Sequence, residues 1–255
     1  MFPYWQHNQR ASEPVQWIPP VSRSKGPFVV ASQYSDVTGD GVVDGIFLIA
    51  TKLEDSPYFN NMSLVVQNGF NQEISVYHLK EAAGYNPAIW TGDFTGDYVD
   101  DILVTVQSGG SGAAVYAYVF SFISGKLGKI FDAIQFHEKR QYEVKYADNY
   151  EAVVTGRNPN LRYVINLLYK GKEYLDEIYD GNGRLKEAIE GWVDPISGTY
   201  PVDLRGNGKY SLLTMEKIAG RYHADGLGFV ENVLNWNGRE FETVMQHVAI
   251  NGASF

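Results

Sequence analysis

The chain has 255 residues and no cysteine, which excludes disulfide scaffolds, cysteine-zinc sites, iron–sulfur clusters and thiol nucleophiles. Its 21 lysines and arginines against 30 acidic residues give a net charge of −9, which argues against binding to a nucleic acid backbone or to an anionic lipid surface. The 26 glycines and 18 tyrosines are typical of strands joined by tight turns. The length fits one or two domains, and all-β folds reach this size as one unit.

Residues 1–26 are polar, aromatic and proline-bearing, and they are predicted to form an arm or linker. They lack the basic start, the apolar stretch and the cleavage site of a secretory signal peptide. No run of 18 apolar residues occurs in the sequence, so we expect no insertion into a membrane.

Four segments of the chain repeat a common pattern, in which an apolar run ends in an aspartate and two further apolar runs follow. The aspartates are separated by 57, 55 and 55 residues and are Asp36, Asp93, Asp148 and Asp203. A turn glycine follows each aspartate after 33, 32, 35 and 35 residues, at Gly69, Gly125, Gly183 and Gly238. Agreement between two independent markers indicates an internal repeat.

Each repeat is predicted to form four short antiparallel strands, with a hairpin turn between the third and the fourth. A repeat of this length is typical of a propeller blade. The prediction is therefore an all-β fold, a small β-propeller over residues 27–255 with four four-stranded blades and room for a fifth. The blades are expected at about residues 27–80, 87–139, 140–192 and 198–250. A β-sandwich, or two stacked sheets with accidental spacing, stays open as the alternative.

The loop after the first predicted strand has the spacing of a calcium site. Oxygen-bearing side chains occupy positions 1, 3, 5 and 9, which are Asp36, Thr38, Asp40 and Asp44. Gly41 permits a sharp turn, and the carbonyl of Val42 can point inward. A calcium ion (Ca2+) takes about six to eight oxygen ligands, and this spacing wraps such ligands around one point. The alternative is an aspartate-rich turn that side-chain hydrogen bonds to the backbone stabilise without a metal.

The second repeat has a similar loop and predicts a second calcium site. Its ligands would be Asp93, Thr95, Asp97, Asp101 and the carbonyl of Val99. Tyr98 stands where the first loop has a glycine, which predicts a weaker site. No site is expected in the fourth repeat, where Arg205 and Ser211 occupy ligand positions, or in the third, whose loop is short.

These loops resemble the D-x-[DNT]-x-D-G-x-x-D calcium loop of the FG-GAP repeat, also called the VCBS repeat, of integrin α-chain propellers and many bacterial surface proteins. The resemblance covers about 220 residues by architecture, although the Phe-Gly/Gly-Ala-Pro signature is not clear and integrin-like propellers have more blades. It implies that calcium is structural and that ligands meet the opposite face of the propeller. Similar small repeat proteins are met in endospore-forming bacteria, which implies a place on a bacterial cell or spore surface.

That opposite face would be built from the loops between second and third strands and from the links between blades. Its aromatic and charged side chains are the kind that anchor a protein or a sugar. The candidates are Tyr58, Phe59, Tyr85, Trp192, Tyr200, Arg221, Tyr222 and His223. The alternative is that these side chains pack between blades.

Catalytic motifs such as His-Glu-x-x-His, G-x-S-x-G and G-x-G-x-x-G are absent from the sequence, so we predict that the protein is not an enzyme. The function predicted is that of a non-catalytic, calcium-binding β-propeller, a binding or structural module with a protein or polysaccharide partner. Two alternatives stay open. One is a glycan-binding lectin. The other is a glycan-active enzyme whose carboxylates converge within about 5–10 Å on the propeller axis.

Overall fold

A computed structural model describes residues 27–52, 56–123 and 125–252. The predicted N-terminal arm and Ser124 of the second glycine turn lie outside this part of the chain. The described residues form an all-β fold of fifteen antiparallel strands with a few short helices. The strands form two four-stranded sheets and one seven-stranded sheet.

The first repeat forms one four-stranded sheet in which each strand pairs with the next along the chain. Its strands are β1 (Phe28–Ser35), β2 (Asp44–Lys52), β3 (Phe59–Gln67) and β4 (Ile74–Leu79). Alternate residues of β2, namely Ile46, Leu48 and Ala50, are buried. This period of two is the pattern of a strand with one face on the core.

The second repeat forms a matching sheet with the same strand order. Its strands are β5 (Tyr85–Gly92), β6 (Asp101–Gln107), β7 (Val115–Ile123) and β8 (Lys126–Asp132). Both faces of β6 and β7 are largely buried, because this sheet lies between two hydrophobic cores. One core joins it to the first sheet through residues such as Leu64 and Phe120.

The rest of the described chain forms the seven-stranded sheet. Its strands are β9 (Glu143–Ala147), β10 (Glu151–Arg157), β11 (Asn160–Asn166), β12 (Glu190–Val202), β13 (Ser211–Ala219), β14 (Gly226–Trp236) and β15 (Phe241–Ala249). They lie in the order β11-β10-β9-β12-β13-β14-β15. The two halves of this sheet meet where Glu190 and Gly191 of β12 pair with Lys145 and Val144 of β9.

Three short helices interrupt the predicted all-β pattern among the described residues. They are α1 (Ala133–Glu138), a 3₁₀ helix (Leu167–Lys170) and α2 (Lys172–Ile178). Leu175 and Ile178 of α2 are buried against the core of the seven-stranded sheet, and their separation of three residues puts them on one helical face. The third repeat therefore has no fourth strand of its own, and helices occupy the chain between β11 and the turn at Gly183. None of the helices in the described ranges is both long and apolar enough to cross a membrane.

The predicted ring of four four-stranded blades in chain order is wrong. The carbonyl of Asp36 accepts a hydrogen bond from Asp100 N (3.3 Å), and the carbonyl of Asp93 accepts one from Tyr210 N (2.7 Å). These contacts place the fourth repeat, not the third, beside the second. A third core supports this order, because it joins Leu103 of β6 to Leu212 of β13. The third repeat has three strands and shares a sheet with the fourth.

Candidate functional site

The loop between β1 and β2 is held by its own carboxylates. Asp44 Oδ2 accepts hydrogen bonds from Val37 N and Thr38 N, both at 2.9 Å, and Asp44 Oδ1 accepts one from Gly69 N at 2.9 Å. The two oxygens of Asp36 accept hydrogen bonds from the amides at positions 4 and 6 of the loop, at 2.7 and 2.8 Å. The amides of the loop thus have acceptors without any metal.

The other residues of this loop take part in the same network. Asp40 accepts a hydrogen bond from Val42 N at 2.9 Å and one from Asn68 Nδ2 at 2.7 Å. The hydrogen bond from Asn68 is the largest cause that lowers the pKa of Asp40. Val42 therefore takes part in the network through its N–H group, whereas the predicted calcium site would use its carbonyl oxygen. These contacts match the aspartate-rich turn that the sequence left open as an alternative.

The loop between β5 and β6 repeats this arrangement. Asp101 Oδ2 accepts hydrogen bonds from Phe94 N at 2.8 Å and Thr95 N at 2.9 Å, and Asp97 accepts one from Val99 N at 3.0 Å. Asp93 accepts hydrogen bonds from the amides of Gly96 and Tyr98. Tyr98 adopts a φ of 68°, close to the 83° of Gly41, so the predicted turn forms in spite of the substitution.

The two loops show no metal site in the part of the chain that the structure describes. Within residues 27–52, 56–123 and 125–252, no three acidic, histidine or cysteine side chains form a group that could hold a metal ion. Asp36, Asp40 and Asp44 each bind a different set of hydrogen-bond donors. Calcium binding by the protein is not tested by the structure and stays a prediction.

Asp44→Ala is expected to lower the free energy of unfolding by about 2–3 kcal/mol, because three backbone amides lose their acceptor. A turn held without metal should give the same loss in thermal unfolding with calcium chloride and with EGTA, whereas a calcium site should give a larger loss in calcium chloride. Asp40→Ala, which removes one amide acceptor at an exposed position, is the milder control. A calcium-dependent rise in the melting temperature that Asp40→Ala abolishes would contradict this account and establish the calcium site.

Asp101 is buried, and its titration affects the stability of the protein. Burial raises its pKa to about 6, although contacts with Ser121 and the two backbone amides act in the opposite direction. The ordinary aspartate pKa is about 3.9, so the folded protein binds more protons than the unfolded chain between about pH 4 and pH 6. The free energy of unfolding therefore falls as pH rises through this window.

Asp101→Asn is expected to remove that fall, since the amide oxygen can accept the same two hydrogen bonds without ionising. The variant should gain stability over the natural protein between about pH 4 and pH 7, by about 3 kcal/mol at most, since one pKa unit corresponds to about 1.4 kcal/mol. Urea unfolding at both pH values measures the difference. Parallel pH profiles for the two proteins would contradict the assignment.

Aromatic rings and loop residues form a line from the first two sheets to the seven-stranded sheet. We call this line the loop surface, and it consists of Tyr58, Tyr85, residues 108–113, Trp192 and His223. Tyr58 and Tyr85 contact each other edge to face, with ring centroids 5.3 Å apart. The ring of Tyr85 lies against Gly109, where a Cβ would come within 2.4 Å of Cε2 and where φ is +80°. A few residues further on, Gly112 lies against the carboxylate of Asp194, at 3.5 Å from the position of a Cβ. Residues 108–113 thus connect the two tyrosines with β12.

Asp194 organises the second half of the loop surface. Its side chain is 2% exposed, and its Oδ1 accepts a hydrogen bond from Trp192 Nε1 at 2.8 Å and lies 3.0 Å from His223 Nδ1. The rings of Trp192 and His223 meet edge to face at 5.0 Å. Oδ2 has no hydrogen bond within the described residues, and Lys217 Nζ balances its charge from 3.4 Å. The ladder of β12 and β13 is irregular between Val193 and Ile196, which leaves Asp194 outside regular pairing.

A second buried carboxylate fixes the β13–β14 loop that carries His223. Asp225 is 1% exposed at its side chain, and Lys170 Nζ lies 2.7 Å from its Oδ1. Its Oδ2 accepts hydrogen bonds from Tyr174 OH (2.8 Å), Arg221 N (3.0 Å) and Tyr146 OH (3.2 Å). The loop is therefore tied to the helical segment between β11 and β12. This anchoring positions His223 over Asp194.

The structure brings together most, not all, of the predicted ligand-binding residues. Tyr58, Tyr85, Trp192, Tyr222 and His223 lie on or beside the loop surface, and the last two are about half exposed. The other three predicted residues have different places: Phe59 packs against the first core, Tyr200 lies near the opposite end of β12, and Arg221 is held by Glu177 and the ring of Tyr174. Asp194 and Asp225 were not predicted, because a single aspartate in a sequence is most often a solvated surface residue.

Comparison with known proteins corrects the family assignment. A family model described as the YybI C-terminal domain matches residues 140–249, the span of the seven-stranded sheet. The sequence is also 42% identical over 255 residues to "Uncharacterized protein YybI" of Bacillus subtilis (strain 168), with 99% of this chain and 96% of that protein covered. No solved structure matches the chain. The FG-GAP/VCBS assignment is therefore wrong, because the same aspartate spacing occurs here in hydrogen-bonded turns. The chain belongs to the YybI family.

Proposed function

We propose that this protein is a non-catalytic binding module that holds a polysaccharide of the bacterial cell envelope on its loop surface. The observation that carries the proposal is the continuous line from Tyr58 and Tyr85, through residues 108–113, to Trp192 and His223. This line brings rings from four separate segments of the chain to one surface.

The chemistry of the loop surface suits sugar rings. Aromatic rings provide an apolar face that can stack on the C–H groups of a pyranose, while nearby polar groups bind its hydroxyls. Trp192 and His223 share Asp194 as a hydrogen-bond partner, so their orientations are fixed before a ligand binds. Fixed side chains lose little conformational entropy on binding. Because the rings lie along a line of loops, the surface fits an extended polymer better than a small molecule.

Tyr85→Ala and Trp192→Ala are each expected to weaken polysaccharide binding by at least about tenfold, as loss of an aromatic anchor does elsewhere. The measurement is co-sedimentation with insoluble cell-wall polysaccharide, compared with isothermal titration of soluble N-acetylglucosamine oligomers. Tyr200→Ala is the matched control, because this half-exposed tyrosine lies eight residues from Trp192 along β12. Equal binding by all four proteins, or an equal loss in the Tyr200→Ala control, would overturn the proposal.

The contact between His223 and Asp194 favours a second candidate function, glycan hydrolysis. A buried carboxylate at His Nδ1 orients the ring and leaves Nε2 available to accept a proton, as a general base requires. Reducing ends released from the same oligomers, and their loss in His223→Gln, would support an enzyme. Binding without any release of reducing ends would support the binding module.

A further inference from the structure

A separate cavity of about 430 Å³ lies between α1, the turn of the β10–β11 hairpin and the turn of the β14–β15 hairpin. This volume is within the range of about 300–1,000 Å³ that small-molecule sites occupy. The cavity does not border the loop surface, because none of Tyr58, Tyr85, Trp192 or His223 lines it. It includes one buried cation, Arg140, which directly follows the C-cap residue of α1.

Arg140 is 5% exposed, yet no carboxylate among the described residues forms an ion pair with it within 4.0 Å. Its guanidinium donates hydrogen bonds to the carbonyl of Asn158 and the hydroxyl of Thr243, which are both neutral, and it lies 3.9 Å over the ring of Phe136. Burial is the largest influence on the pKa of Arg140 and lowers it. A buried charge without a partner is unfavourable, so a bound anion would stabilise this arrangement.

The buried carboxylate that acts on Arg140 electrostatically is Glu216, and its oxygens are already engaged. His137 Nδ1 lies 2.7 Å from Oε1, while Asn232 Nδ2 and Tyr142 OH donate hydrogen bonds to Oε2 at 3.0 and 3.2 Å. Glu216 is 0% exposed and cannot reach the cavity. This network holds the side chains of His137 and Tyr142, which lie on either side of Arg140 in the chain, while Arg140 itself lines the cavity.

The other residues of the cavity wall indicate which class of ligand fits the site. Phe131, Phe136 and Phe241 line it together with Ile130, so one part of the wall is apolar. Asp132 and Lys139, at the two ends of α1, line it with opposite charges. Glu240 and Glu242 line it from exposed positions on the β14–β15 hairpin. These acidic residues would repel a dianion such as phosphate, whereas they would attract a ligand that carries an ammonium group.

We propose that this cavity binds a small zwitterion of the amino-acid class with an apolar side chain. Arg140 takes the carboxylate, for which its planar fork of donors is suited. Glu240 and Glu242 take the ammonium group, and the phenylalanine rings contact the apolar side chain. The site is independent of the polysaccharide surface.

The test compares four probes by isothermal titration to the full-length protein: L-leucine, L-phenylalanine, leucinamide and 4-methylpentanoate. The two amino acids should bind. Leucinamide lacks the carboxylate and 4-methylpentanoate lacks the ammonium group, so each should bind at least about tenfold more weakly than leucine. Sodium phosphate, added as a fifth probe, should bind more weakly than leucine.

Arg140→Met should abolish leucine binding, and the exposed double change Glu240→Gln with Glu242→Gln should weaken it without a loss of folding. Arg239→Met is the matched control, because this exposed arginine lies on the same hairpin outside the cavity wall. Near-ultraviolet circular dichroism checks the fold of each variant. No binding of either amino acid, or equal binding of leucinamide and leucine, would overturn the proposal. Binding of 4-methylpentanoate or phosphate as tight as that of leucine would overturn its zwitterion class.

Discussion

Asp225→Ala is expected to lower the free energy of unfolding by about 3–5 kcal/mol, the range found when one partner of a buried ion pair is removed. The variant leaves Lys170 and Arg221, which are 17% and 26% exposed at their side chains, without their buried carboxylate. It also removes the acceptor for the hydroxyls of Tyr146 and Tyr174. For a chain of this size the melting temperature should fall on the order of 10 °C, measured by circular dichroism.

The pH dependence of Asp225 gives an independent check. Burial alone would raise its pKa, but hydrogen bonds from Lys170, Arg221 N and Tyr174 outweigh burial and hold the pKa below its ordinary value. A carboxyl whose folded pKa is lowered stabilises the protein above its unfolded pKa of about 3.9, and this contribution is lost as pH falls through the folded pKa. The stability difference between the natural protein and Asp225→Asn should therefore shrink below about pH 4.

Asp176→Ala is the matched control for Asp225→Ala, because the ion pair of Asp176 with Lys172 is 63% and 84% exposed at its two side chains. Exposed pairs contribute about 0–1 kcal/mol, so the control should melt close to the natural protein. Equal losses in both variants would show that Asp225 does not anchor the β13–β14 loop.

Asp194→Ala is expected to combine a loss of stability of about 2–4 kcal/mol with a loss of polysaccharide binding of at least about tenfold. The variant removes the shared partner of Trp192 Nε1 and His223 Nδ1 and leaves Lys217 without its buried carboxylate. Both rings would then be free to turn away from the loop surface. Urea unfolding measures the first effect and titration of N-acetylglucosamine oligomers measures the second.

A comparison with Asp225→Ala separates the effect of ring orientation on binding from the effect of a lower free energy of unfolding. Because Asp225 fixes the loop of His223 but does not contact Trp192, its variant should keep more of the binding at a temperature where both variants are folded. If the Asp194→Ala variant binds the N-acetylglucosamine oligomers as tightly as the natural protein does, the orientation of Trp192 and His223 does not matter for binding.

Most strands of this protein follow from local sequence, because their burial alternates along the chain. Ile46, Leu48 and Ala50 show the period of two in β2, and the glycine turns mark where the pairs reverse. The segment of α2 is seven residues long, and its buried Leu175 and Ile178 give too short a pattern to distinguish a helix from a strand. Local sequence therefore predicted the all-β class but not the end of the third repeat.

The order of the repeats in space could not be predicted, since it depends on contacts between distant residues. Tyr210 N and the carbonyl of Asp93 are 117 residues apart in the chain, and no local pattern indicates that they meet. The aspartate loops show a different limit. Side chains at positions 1, 3, 5 and 9 can surround a cation or bind backbone amides, and sequence spacing is the same in both cases.

The sequence predicted the aromatic residues of the candidate site but not its buried carboxylates. Tyr85 and Trp192 were selected because they lie in predicted links between blades, and His223 because it lies in a predicted loop. A single aspartate gives no sequence signal of burial. The burial of Asp194 and Asp225 becomes visible only with the tyrosine, tryptophan, lysine and histidine side chains that surround them.

The most direct test of the loop surface is a two-dimensional nitrogen–proton NMR titration of the protein with N-acetylglucosamine oligomers. The account predicts that the indole signal of Trp192 and the amide signals of residues 108–113 shift together and saturate at one ligand concentration. The indole signals of Trp90 and Trp236, which pack against the core between the second and the seven-stranded sheets, should stay in place. Saturation with no shift of Trp192, or shifts confined to the Arg140 cavity, would contradict the assignment of the loop surface as the polysaccharide site.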